Sequence, residues 1–186
     1  TQGVPQVHLV SQTQDRDQSI LPDASQQLCR RSFRVPRFDD SGTRRELCDA
    51  YVVANSPRVT VYLEENLHTE LALNVRGQAE SICQLLEDQI LALIHESIGP
   101  VADVDGDQSL SIVIADLDRH PMSKSPPVRG CVTDQDFQLK GDSDFSGDVI
   151  YLDRDLPAGT ALASLLAHEL THAAILSYLL EQRLQP

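Results

Sequence analysis

The stretch from Ala161 to Leu180 constrains this chain more than any other: it is apolar almost throughout, yet it carries His168, Glu169 and His172 at its centre. Sinking those groups into lipid would be costly. The run therefore reads as a helix against a protein core, from about Thr160 to Leu180, and not as a membrane span. Pro157 and Gly159 stand before it, with Thr160 as the expected N-cap. Positions i and i+4 of a helix share a face, so the imidazoles at 168 and 172 can converge on one metal ion. Glu169 lies beside the first of them, able to reach a water at the ion without ligating it. Ionisable groups left unpartnered in apolar surroundings cost several kcal/mol, and a metal ion is the simplest compensation. The competing reading is two surface histidines on an ordinary amphipathic helix.

Elsewhere the period of the apolar residues changes along the chain. Residues 1–28 are rich in Gln, Asp and Ser and read as a flexible polar lead-in. Ser32–Val35, Ala50–Val53 and Arg58–Leu63 have strand chemistry, and Asn55-Ser56-Pro57 predicts a hairpin between the last two. From Val75 to Ile98 the spacing is helical, with Val75, Ala79, Ile82, Leu86, Ile90, Leu93 and Ile94 on one face and Gly99-Pro100 as the stop. Ser109–Ala115 and Asp148–Asp153 read as strands, separated by a loop over 119–147. Strands, a long helix, strands and a second long helix make an α+β pattern.

Acidic residues outnumber basic ones, 28 to 15, for a net charge of −13. That argues against nucleic acid as a partner, because phosphate binding needs a cationic face, and equally disfavours docking on an anionic membrane. Four cysteines occur, Cys29, Cys48, Cys83 and Cys131, without a CxxC pair. Two disulfides are expected, Cys29 with Cys48 and Cys83 with Cys131, and they would imply an exported, secreted or cell-envelope protein. Four free thiols are the alternative. No signal peptide is legible at Thr1, so the chain is either intracellular or already trimmed.

The motif His168-Glu169-Leu170-Thr171-His172, with the strand at 148–153 and the earlier long helix and strand before it, resembles the catalytic domain of zincin metallopeptidases. The turn Asp103-Val104-Asp105-Gly106-Asp107, leading into an apolar strand that ends at Asp116, is similar to secreted bacterial peptidases of the hyicolysin and immune-inhibitor-A type. The resemblance implies a twisted mixed sheet with a long backing helix and an active-site helix. It further implies His168 and His172 as Zn2+ ligands, Glu169 as general base, a protein or peptide substrate, and a strand at 148–152 serving as the substrate-binding edge. The metzincin pattern would need Gly at 175 and His at 178, where this chain has Ile175 and Tyr178. The gluzincin pattern needs a Glu on a later helix, and Glu181 lies on the far side of the same helix. Residues 29–186 are thus expected to be the N-terminal, zinc-helix part of such a domain, its C-terminal subdomain missing and its third ligand unknown. His120 is the best internal candidate, then Asp118 and Asp153. Such a piece is expected to bind zinc weakly and to be inactive alone.

Asp103, Asp105, Asp107 and Ser109 around Gly106 resemble the start of a calcium loop, without the later Glu of an EF-hand; an ordinary Asp/Gly turn is the alternative. His8, His68 and His95 read as non-functional, and Tyr178 as core in preference to an oxyanion helper. The functional expectation is a zinc endopeptidase. The alternatives are a zinc hydrolase with another substrate, or a non-catalytic zinc- or calcium-binding domain on a zincin scaffold.

Overall fold

A computed structural model describes residues 29–39, 42–117, 127–138 and 146–184, with the backbone alone over 68–74. In chain order the elements are β1 (Arg30–Asp39), β2 (Gly42–Asn55), β3 (Val59–Glu64), α1 (Glu65–Leu85), a π-helical turn (Leu86–Ile90), α2 (Leu91–Ser97), β4 (Leu110–Ala115), β5 (Gly130–Cys131), β6 (Val149–Asp153) and α3 (Thr160–Leu184). The strands form one mixed sheet in the order β1-β2-β3-β4-β6-β5, so the chain is α+β.

β3, β4 and β6 run parallel, with Val59 opposite Leu110 and Ser111 opposite Val149. Parallel strands are covered on both faces, which is why Leu110–Ala115 and Val149–Asp153 are buried at every position. Alternate residues of these strands enter two cores. Val61, Leu63, Ile112, Ile114, Ile150 and Leu152 meet α1, α2 and α3 on one face. Tyr62, Val113, Ala115, Val149 and Tyr151 meet Phe33 and Val35 on the other. The sheet curls so that the β1–β2 hairpin covers this second face. The Phe38 N–H donates to Leu117 O at 2.9 Å, and Arg31 reaches Asp105 and Asp107. Arg37, wholly buried, pairs with Glu64 and donates to Asp116 O at 2.6 Å.

The expected hairpin forms as β2–β3, with a bulge between Val52 and Ala54. The first long helix begins at Glu65, earlier than the expected Val75. Its π-helical turn adds a residue to the helical count, which carries Leu93 out to solvent while Ile90 and Ile94 stay buried. Thr160 is the first residue of α3 and not its cap; Gly159 precedes it at φ +61°. Among the described residues, the edge strand on this side of the sheet is β5. β6, the expected substrate edge, lies between β4 and β5.

Neither expected disulfide is present, and all four cysteines are free. Cys48 stands opposite Phe33, while Cys29 lies beyond the pair Arg30–Tyr51. At about 3.3 Å per residue along a strand the two are too far apart to join. Cys83 belongs to the helix-covered core and Cys131 packs against the other, so the sheet separates them. Among the described residues no helix is long and apolar enough to cross a membrane.

Candidate metal centre

Leu162, Leu166, Leu170, Ala173, Ala174 and Ser177 form the buried stripe of α3, and their helical spacing decides where the motif residues fall. Glu169 joins the edge of this stripe and is only 4% exposed. His168 and His172 lie one step further round and face solvent, not the apolar surroundings expected for them, so only Glu169 bears a cost of burial. Their Nε2 atoms are 3.1 Å apart and the rings stand edge to face.

The two imidazoles and Glu169 line a cleft of about 420 Å³ together with Gly130, Cys131, Val132, Asp134, Ile175 and Leu176. One wall is therefore the motif helix and the other is strand β5 with the residues after it. Gly130 pairs with Leu152, and the Asp153 N–H donates to Arg129 O at 2.9 Å. The alternation of an antiparallel ladder then turns the N–H and C=O of Gly130 away from β6, to the side on which no described strand pairs with β5. Burial raises the Glu169 carboxyl above its ordinary range, opposed by the nearby histidines. The Cys131 thiol is pushed up to about 12, by burial first and then by Glu169 and Asp136.

The residues after β5 are held from behind. Arg45 donates to Thr133 Oγ1 at 2.8 Å, to Asp136 Oδ1 at 2.6 Å and to the Tyr151 hydroxyl at 3.1 Å. Asp136 is buried, and burial keeps its carboxyl above the usual range despite Arg45.

Two Nε2 atoms each about 2.05 Å from a tetrahedral Zn2+ would lie roughly 3.3 Å apart. The observed 3.1 Å fits such an ion. Among the described residues no third His, Cys or carboxylate joins the pair within metal-binding distance. Asp153 is not free for the role: its carboxylate accepts the N–H of Leu117 at 3.2 Å and of Asp155 at 3.1 Å and faces Arg129. His120 and Asp118 lie outside the described residues, as does His8. Tyr178, expected in the core, is 54% exposed. It continues the outer side of α3 with Ile175 and Leu179, also exposed. His95 is exposed on α2, and of the His68 side chain nothing is described.

The acidic turn is arranged differently from the expected calcium set. Asp103 and Asp105 come together with Asp148, their carboxylate oxygens within 4.8 Å of one another. Asp107 lies outside this group and accepts the Ser109 N–H at 2.8 Å, Arg31 pairs with both Asp105 and Asp107, and the Ser109 hydroxyl bonds Thr60. Asp148 is buried and its carboxyl is pushed up to about 7, chiefly by burial and then by Asp105 and Asp107. Sequence spacing could not reveal Asp148, which enters from the strand beside β4, nor Gly130, since a two-residue strand has no period to detect. Compared with known proteins, the chain matches no family model, and no curated protein matches it significantly.

Proposed function

We propose that this chain carries the zinc centre of an endopeptidase on a zincin-like scaffold, with His168 and His172 as metal ligands and Glu169 as general base. The observation that carries this reading is the pair of Nε2 atoms 3.1 Å apart at the mouth of a cleft, with a buried carboxylate next to them. A bound Zn2+ would supply a Lewis acid that acidifies water and polarises a peptide carbonyl. Glu169 accepts the proton at its carboxylate and passes it to the leaving amine. Its raised pKa suits that exchange, because a base poised nearer neutrality can also return the proton. The outward N–H and C=O of Gly130 give an extended peptide a main-chain pair on β5, directly beside the motif. The third ligand comes from outside the described residues. Asp103, Asp105 and Asp148 offer an oxygen set suited to Ca2+, which would tie the turn before β4 to the start of β6.

The decisive experiment uses an unstructured protein substrate with zinc-loaded chain, with chelator, and with Glu169→Gln. Zinc uptake should be lost in His168→Ala, which reads the site even where the chain alone cleaves nothing; any cleavage should stop with chelator, return with added zinc, and be lost in Glu169→Gln while zinc stays bound. Cleavage that survives both treatments, or zinc uptake unchanged in His168→Ala, refutes the reading.

A further inference from the structure

We propose that Gly130 is a positioning residue for Glu169: the side chain it lacks leaves the slot in which the Glu169 carboxylate is held beside the two histidines. The steric relationship stands on geometry, while its catalytic consequence rests on the peptidase reading above.

A Cβ placed on Gly130 would lie 2.9 Å from Glu169 Cγ, 2.9 Å from its Oε1 and 3.1 Å from its Cδ. Carbon atoms make favourable contact at about 3.5–4.0 Å, so strand and side chain cannot both stay where they are. The backbone does not demand glycine here. Among the described residues the glycines with positive φ are Gly42, Gly99, Gly106 and Gly159. An alanine can adopt the strand conformation at 130, and only its methyl group is in conflict.

Neither partner can retreat easily. Behind Glu169 the helix is packed by Leu166 and Leu170, both 0% exposed, which closes the inward direction. The remaining direction swings the carboxylate along the cleft, away from its place at the imidazoles. On the other side β5 is fixed to β6 at Gly130–Leu152 and Cys131–Tyr151. It is held further by Arg129 on Asp153 and by Arg45 on Thr133 and Asp136. The methyl of Gly130→Ala therefore acts on the carboxylate.

The test is a cycle of Gly130→Ala, Glu169→Ala and the double variant, melted without metal, with a crystal structure of Gly130→Ala. The alanine at 130 should lower Tm by several degrees while Glu169 is present and by none once Glu169 is removed, since the clash has gone. The crystal structure should show the carboxylate displaced by more than about 0.5 Å, the tolerance of a preorganised site. In the zinc-loaded protein Gly130→Ala should lower kcat by roughly 100-fold, with KM and zinc affinity held. Equal Tm losses in both backgrounds, or an unmoved carboxylate, overturn the steric claim, and these readouts decide it even if wild type cleaves nothing. Cleavage by Gly130→Ala at the wild-type rate overturns the positioning claim and leaves the peptidase reading standing.

Discussion

His168 and His172 present their Nε2 atoms to one another across 3.1 Å on the exposed side of α3, their ring planes at 85°. Two neutral imidazoles in that arrangement gain one hydrogen bond at most, whereas a shared cation engages both lone pairs. Either His168→Ala or His172→Ala should therefore weaken zinc binding by more than the roughly 10–100-fold that loss of an outer partner costs. Both residues are exposed, so the melting temperature of the metal-free protein should hardly move. Titration with zinc, paired with metal analysis, measures the effect. A His168→Ala variant with wild-type zinc content would remove the assignment.

Asp148 makes stability depend on pH. Its folded pKa of about 7 stands above the ordinary 3.8, so between these values the folded state holds more protons than the unfolded one. Stability from this group is complete below about pH 4 and is lost as pH rises through 7. Asp148→Asn removes the penalty, and urea melts should show the variant gaining on wild type at pH 8, by a few kcal/mol at most, with no gain at pH 4. A divalent cation would relieve the same penalty. Millimolar Ca2+ should raise the wild-type Tm at pH 7.5 and leave Asp148→Asn unchanged. Equal responses would dismiss the calcium set.

The parts legible in the sequence were those with a period or a fixed spacing. Leu110–Ala115, the β2–β3 hairpin and α3 follow from apolar patterning, because the cores they enter are continuous along each element. The i, i+4 spacing of 168 and 172 needs only an intact helix to bring the rings together. What stayed hidden depends on contacts distant in the chain. The strand 149–153 is apolar whether it lies at an edge or inside, and only Gly130–Cys131 on its far side makes it interior. Leu93 fits the helical face until the π turn shifts the count. The cysteines looked paired because neighbouring strands suggest proximity, yet the register of β1 and β2 sets Cys48 against Phe33. Asp148 and Asp103 are far apart in sequence and meet only through the parallel alignment of β4 with β6.

The buried pair of Arg37 and Glu64 should behave as a coupled unit. Arg37 is 0% exposed and also contacts Glu46, Cys48 and Asp116 O, while Glu64 accepts the Asp116 N–H at 3.1 Å. Removing Arg37 leaves the Glu64 carboxylate buried without its counterion, and removing Glu64 leaves Arg37 only the half-buried Glu46, at a cost of up to about 3–5 kcal/mol. Glu64→Ala and Arg37→Met should each show that loss in chemical denaturation. The double variant should cost clearly less than their sum. Additive losses would mean that the two side chains stabilise the fold independently.

Arg45 couples the outer hairpin to the cleft, since the residues it holds at Thr133 and Asp136 follow β5 directly. Arg45 lowers the Asp136 pKa against the larger effect of burial, so Arg45→Met should raise that pKa further. A raised carboxylate pKa penalises the fold above it; the loss in Arg45→Met should thus be greater at pH 8 than at pH 5. Asp136→Asn in the same background should recover most of the difference, because it removes the charge that Arg45 compensates. Freed from Arg45, the segment 132–136 should exchange its amide hydrogens faster. If peptides lie along β5, KM should rise while kcat changes little, since Glu169 and the histidines stand on α3. A fall in kcat at constant KM would instead mean that Arg45 acts through Gly130 on the carboxylate.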